Sequence, residues 1–203
     1  MKLLLLSGGL VNKKIRKEAI KLLGKDPKKS KAVVITTKFN DLKIRKNIRK
    51  IKAELKTISV KNVKIIHSIK KSSYNYIKDC DLMYVGGGNT FAILKQMRKN
   101  GIDKLIKKFI SSGKLYMGGS AGALIMCPSI EIAGWSKYIF DVNEIKLKNL
   151  KGLDIVDHVI IPHVNADVRK ELPSFRKKSK YKIIDITDSQ AVVFTSRNKF
   201  YKI

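Results

Sequence analysis

A chain of 203 residues can bury one substantial core but is short for two, so a single domain over residues 1–203 is expected. Its 44 Lys and Arg against 16 Asp and Glu give a formal charge of +28. The basic residues are scattered and not interleaved with stacking aromatics, which argues against specific nucleic-acid recognition and leaves weak, salt-sensitive attraction to polyanions.

The elements follow in chain order. Leu3 to Leu6 reads as a buried first strand ending at Ser7-Gly8-Gly9; four leucines are too few for a secretory core or a bilayer span, so no membrane partner is expected. Residues 11–23 carry apolar positions at helical spacing, and Gly24 can stop that helix. A β-branched run at 32–36 is the second strand, 41–55 a basic amphipathic helix, and 63–66 a third strand ended by His67. A short helix over 69–77 precedes a strand at 81–85, which runs into Gly86-Gly87-Gly88-Asn89-Thr90. Asn89 or Thr90 can cap a helix over 91–97, and another helix over 103–111 leads to a strand at 114–117. Residues 129–150, with the single Trp135, are less regular; strand-like runs return at 158–161, 182–186, 191–194 and 199–203. Strands alternating with helices predict an α/β fold, a mostly parallel sheet covered on both faces. Cys80 and Cys127 lie in apolar contexts without metal-ligand spacing, as buried thiols of a reducing cytoplasm would, and no metal or cofactor is implied.

One segment carries chemistry. After the strand at 114–117 comes Gly118-Gly119-Ser120-Ala121-Gly122, a Gly-x-Ser-x-Gly elbow in which small neighbours let the chain turn sharply from strand to helix. Such a turn exposes the Ser120 hydroxyl and leaves the Ala121 N–H facing a developing oxyanion.

Functional groups of an open α/β sheet gather beyond the carboxyl ends of its strands. Gly86–Gly88, Ser120, His163 and Asp188 each follow a different strand. Free serine is a weak nucleophile, so His163 is assigned as its base, with a carboxylate to orient the imidazole. The amides of Gly88 and Ala121 are assigned to the oxyanion hole, and Gly87, Asn89 and Thr90 to substrate contact. A phosphate-binding turn at Gly86–Gly88 is the weaker alternative, lacking the Lys-Ser/Thr of a P-loop. His158, five residues before His163, falls at the opposite strand end, and His67 follows an early strand with no motif; both are expected to be structural or solvated.

Taken together, the opening Lys2–Ser7, Val85-Gly86-Gly87-Gly88-Asn89-Thr90-Phe91, the elbow, Cys127-Pro128-Ser129-Ile130 and Pro162-His163 resemble the peptidase S51 family of aspartyl dipeptidase-like serine peptidases. The resemblance implies a class I glutamine amidotransferase-like (flavodoxin-like) fold, with serine where the amidotransferases carry cysteine. It implies Ser120 as nucleophile, His163 as base and hydrolysis of small peptides, possibly with an N-terminal aspartate. An aspartate is expected about fifteen residues after the serine, where Trp135 stands here. The carboxylate is therefore sought at Asp188, with Asp141 the alternative and Glu131 a weaker third. Arg169 and Arg176 are the candidates for binding a substrate carboxylate. A catalytically degenerate binding module for an anionic partner is the competing reading, and the oligomeric state is open.

Overall fold

The computed structural model describes residues 1–36, 42–66, 71–138 and 141–203. Among these residues the strands are β1 (Lys2–Leu6), β2 (Lys31–Ile35), β3 (Asn62–Ile66), β4 (Leu82–Val85), β5 (Leu115–Gly119), β6 (Val159–Ile161), β7 (Ile183–Asp185), β8 (Ala191–Phe194) and β9 (Phe200–Lys202). Seven form one sheet in the order β3-β2-β4-β5-β1-β8-β9. The first five run parallel, and β8 and β9 add an antiparallel edge. His67, and Asp41 and Ile69 at two expected helix starts, lie outside the described residues.

Strands β1, β2, β4, β5 and β8 are buried on both sides, so their side chains alternate between two cores. Leu3, Leu5, Val33, Ile35, Met83, Val85 and Tyr116 point into one, and Leu4, Leu6, Val34, Tyr84 and Met117 into the other. The second core is closed by α1 (Lys13–Leu23) and α2 (Leu42–Thr57), through Ile15, Ala19 and Leu23 of the first and Ile51 and Leu55 of the second. Asn12 caps α1 by accepting the Ile15 N–H at 3.0 Å, and Gly24 ends it at φ 70°. The first core lies under α3 (Lys71–Asp79), α4 (Thr90–Lys99) and α5 (Ile102–Ser111); Ile102, Leu105, Ile106, Phe109 and Ile110 give α5 one apolar stripe. The short α6 (Ala121–Leu124) opens directly off β5.

Two findings depart from the sequence reading. Strands β6 and β7 leave the main sheet and pair with each other in parallel, Val159 to Ile161 against Ile183 to Asp185. A helix that the sequence reading did not propose, α7 (Ala166–Lys178), connects them. Asn165 caps it by accepting the N–H groups of Asp167 and Val168, and Val168, Leu172 and Phe175 bury one face. Pro173 lies inside this helix, a residue that removes one helical bond and normally argues against helix. Among the described residues no helix is long and apolar enough to cross a membrane.

Candidate functional site

The elbow forms because two close approaches demand it and two hydrogen bonds fix it. A Cβ on Gly118 would lie 2.4 Å from the Gly122 carbonyl oxygen, and one on Gly122 would lie 2.2 Å from that of Val85 on β4. The buried Tyr116 hydroxyl donates to the Gly122 carbonyl at 2.8 Å, and the Ser120 N–H donates to the Leu6 carbonyl of β1 at 2.8 Å. So constrained, Ser120 takes φ 52° and ψ −112°, a backbone conformation that costs on the order of 1–3 kcal/mol and persists only where its surroundings dictate it.

His163 and Asp188 arrive from β6 and β7, which end at the same edge. His163 Nε2 lies 2.8 Å from Ser120 Oγ, and its Nδ1 lies 2.6 Å from Asp188 Oδ1. A carboxylate only accepts, so Nδ1 carries the proton and Nε2 is left to accept from the serine hydroxyl. Asp188 titrates below the ordinary aspartate range. Partial burial pushes it up, but hydrogen bonds from Ser7 and His163, with the nearby His163 and Lys50 charges, outweigh that push.

Ser7 was read from the sequence only as the start of a turn. Its hydroxyl accepts the His163 backbone N–H at 2.7 Å and donates to Asp188 Oδ1 at 2.8 Å. It thereby ties His163 to Asp188, and it holds His163 at φ 59°. Gly8 makes this possible: a Cβ there would sit 2.4 Å from the Asp188 carbonyl oxygen. The signal available was positional, since Ser7 follows β1, the neighbour of β5 in the sheet.

The Gly86–Gly88 loop lies against Ser120, where a Cβ on Gly87 would be 3.3 Å from that of the serine. Asn47 donates to the Gly87 carbonyl at 3.0 Å, so the trans peptide turns the Gly88 N–H to the opposite side. Ala121 opens α6, and its N–H has no helical carbonyl behind it. Ser120 and His163 stand between two clefts. One is lined by Ile132, Ser136, Asp141, Ile161 and Phe175 among others. The other is lined by Ser7, Asn47, Lys50, Glu54 and the glycine loop. Beneath this second cleft the Tyr84 hydroxyl donates to the buried Glu54 carboxylate at 2.9 Å.

The remaining candidates separate clearly. Asp141 makes no bond to His163; its Oδ2 accepts the Thr90 N–H at 2.8 Å. Asn89 caps α4 through the Ala92 N–H at 3.0 Å and donates to the Val142 carbonyl at 2.8 Å, while Thr90 is buried. Glu131 opens a 3-10 turn and is exposed, and among the described residues it makes no hydrogen bond to His163. Trp135 packs on Phe175 with ring centroids 6.0 Å apart, and Lys178 lies over its ring. Arg176 pairs with Asp185 at 2.7 Å and donates to the Ile183 carbonyl, which ties α7 to β7; Arg169 is exposed, and neither lines a cleft beside Ser120. His158 bonds Asp157 at 2.6 Å and packs edge-on against Phe200, a structural role. Both cysteines are buried and free, and burial pushes the Cys127 thiol up to about 12 and the Cys80 thiol to about 11. Among the described residues no group of three or more His, Cys, Asp or Glu could hold a metal ion.

A serine on a strand-to-helix elbow, faced by an imidazole and a carboxylate at later strand ends, marks an α/β protein built around a Gly-x-Ser-x-Gly turn. The model of peptidase family S51 matches residues 3–200, and the chain belongs to that family. An uncharacterized peptidase of Listeria monocytogenes is 42% identical over 96 residues, 45% of this chain and 44% of the relative. Peptidase E of Escherichia coli is 39% identical over 82 residues, 40% of this chain and 35% of the relative. The matched stretch thus spans less than half the length of these curated relatives. Over the whole chain, a solved structure described as a candidate peptidase E from Listeria monocytogenes superposes with a TM-score of 0.73 at 25% identity, covering 100% of this chain and 97% of that one. A peptidase from an acI-B1 Actinobacterium has the same fold, with a TM-score of 0.70 at 17% identity, covering 100% and 86%.

Proposed function

We propose that the chain is a serine peptidase that cleaves small peptides through an acyl-enzyme. The observation that carries this reading is the line of two hydrogen bonds, Ser120 Oγ to His163 Nε2 at 2.8 Å and His163 Nδ1 to Asp188 Oδ1 at 2.6 Å. In the first step Ser120 Oγ attacks the scissile carbonyl while Nε2 takes its proton, and the Gly88 and Ala121 amides receive the negative oxygen. The imidazolium then protonates the leaving amine, the C–N bond breaks, and an ester to Ser120 remains. Water enters, gives a proton to Nε2 and attacks the ester; the proton returns to Ser120 as the acid product leaves. Asp188 keeps its charge throughout, holding the tautomer and stabilising the imidazolium.

The binding-module alternative leaned on Trp135 standing where a carboxylate was expected. Asp188 beside His163 supplies that charge from another strand end, which favours the enzyme. Ser120→Ala tests the reading. Hydrolysis of a dipeptide panel should fall by on the order of 10⁴-fold or more, because the nucleophile is gone. A fluorophosphonate probe should label the parent chain and not the variant. Retained turnover in Ser120→Ala, or no labelling of the parent chain, overturns the proposal.

A further inference from the structure

The two clefts beside Ser120 differ in charge, and that difference bears on which end of a peptide each one takes. In the first, Asp141 is held in place by its own backbone: its N–H donates to the Ala133 carbonyl at 2.7 Å while Oδ2 accepts from Thr90. Among the described residues its Oδ1 has no partner, and no Lys, Arg or His pairs with it. In a chain with 28 more cationic than anionic side chains, a carboxylate lining the nucleophile's cleft without a cation leaves a place for one brought by the substrate. A second carboxylate stands behind the same wall, since the Ser136 hydroxyl donates to Glu171 Oε2 at 2.6 Å. The rest of the lining is chiefly apolar, with Ile132, Ile161 and Phe175 as its bulk, and no Lys or Arg is among the described residues that form it. The opposite cleft carries the cation: Lys50 Nζ donates to the Gly8 carbonyl at 2.8 Å and lies 3.8 Å from Glu54.

We propose that the Asp141 cleft receives the N-terminal residue of a short peptide, its α-ammonium on Asp141 and an apolar side chain against Ile132, Ile161 and Phe175, with the C-terminal carboxylate directed toward Lys50. This deepens the serine-peptidase reading and rests on it. An N-terminal aspartate would set its side-chain carboxylate among Asp141 and the Ser136–Glu171 pair with no cation to meet it, so such peptides are poor substrates. A zwitterionic dipeptide with an apolar first residue matches both ends at once.

The test compares kcat/KM for Leu-Ala, Asp-Ala and N-acetyl-Leu-Ala, following release of the C-terminal alanine, in the parent chain and in Asp141→Asn. Asparagine keeps an oxygen for the Thr90 N–H, so the loop retains its support. The parent chain should prefer Leu-Ala to both other peptides by at least about tenfold. In Asp141→Asn the advantage of the free over the acetylated amine should shrink to about twofold or less. Asp-Ala cleaved as fast as Leu-Ala, equal rates for the acetylated peptide, or an undiminished advantage in Asp141→Asn would each overturn the inference. Turnover of p-nitrophenyl acetate in the parent chain and in Ser120→Ala separates the two levels. Ser120-dependent ester turnover with any of those results sinks only the inference, whereas ester turnover unaffected by Ser120→Ala sinks the serine-peptidase reading beneath it.

Discussion

Ser120 and Asp188 are held by different physics. Around Ser120, residues Tyr116 to Gly119 and Ala121 to Cys127 are all buried, and backbone approaches of 2.2–2.4 Å to a would-be Cβ leave the turn no alternative path. Asp188 sits on a turn after β7 with its side chain 68% exposed, bonded among the described residues by Ser7 and His163. Packing cannot relax without opening the core, whereas an exposed hydrogen bond competes with water at every moment. The hydroxyl's position is therefore rigid, and the carboxylate's is adjustable.

Four changes probe that contrast beyond the loss of Ser120. Asp188→Asn should lower kcat by on the order of 10³-fold, less than removal of the nucleophile, since water supplies part of the missing polarity. Asp188→Glu should recover part of the rate, because the longer side chain has open space to adjust. Equal losses for Asp188→Asn and Ser120→Ala would erase the distinction between the two regions. Gly122→Ala should destabilise the fold by about 3 kcal/mol or more through the clash with Val85, read from denaturant unfolding. Gly119→Ala, whose Cβ would meet the Tyr84 hydroxyl at 3.3 Å and its ring at 3.4 Å but no backbone, should cost less, about 1–2 kcal/mol. Similar costs at the two glycines would break the claim that packing dictates the elbow.

Smaller effects belong to the acid side. Ser7→Ala should reduce kcat roughly 10–100-fold with KM little changed, because it frees Asp188 and the strained His163 backbone without touching substrate. A rise in KM at constant kcat would instead place Ser7 in substrate binding. The smallest effect is on stability. Because folding lowers the Asp188 pKa, its ionised form favours the folded state above the ordinary carboxyl pKa of about 3.9, and that contribution fades as pH falls through the lowered folded value. The melting temperatures of the parent chain and Asp188→Asn should thus converge as pH falls from about 5 into stronger acid. A gap that widens over that range would contradict the direction of the shift.

Much of this site was legible before any fold was known. Leu3–Leu6, the β-branched second strand and the glycine blocks mark strands and turns by local chemistry alone, and residues that follow strands share an edge once the sheet is parallel. That reasoning brought Ser120, His163 and Asp188 together, even though β6 and β7 stand outside the main sheet. What escaped it depends on distant partners. The bonds of Ser7 join residues 156 and 181 positions apart, and Asp141 is recruited by Thr90 from 51 positions away. Helix α7 was hidden by Pro173, which the buried stripe of Val168, Leu172 and Phe175 outweighs only after it docks.

The amino-acid order by itself determined most of the strands, the helices up to α5 and the Gly-x-Ser-x-Gly elbow, because each follows from residue spacing over a few positions. The folded chain alone decided which carboxylate faces the imidazole, that a serine from the first strand braces both, and which cleft carries which charge. Those depend on where chain ends meet in space, and loop closure across more than a hundred residues leaves no trace in local sequence.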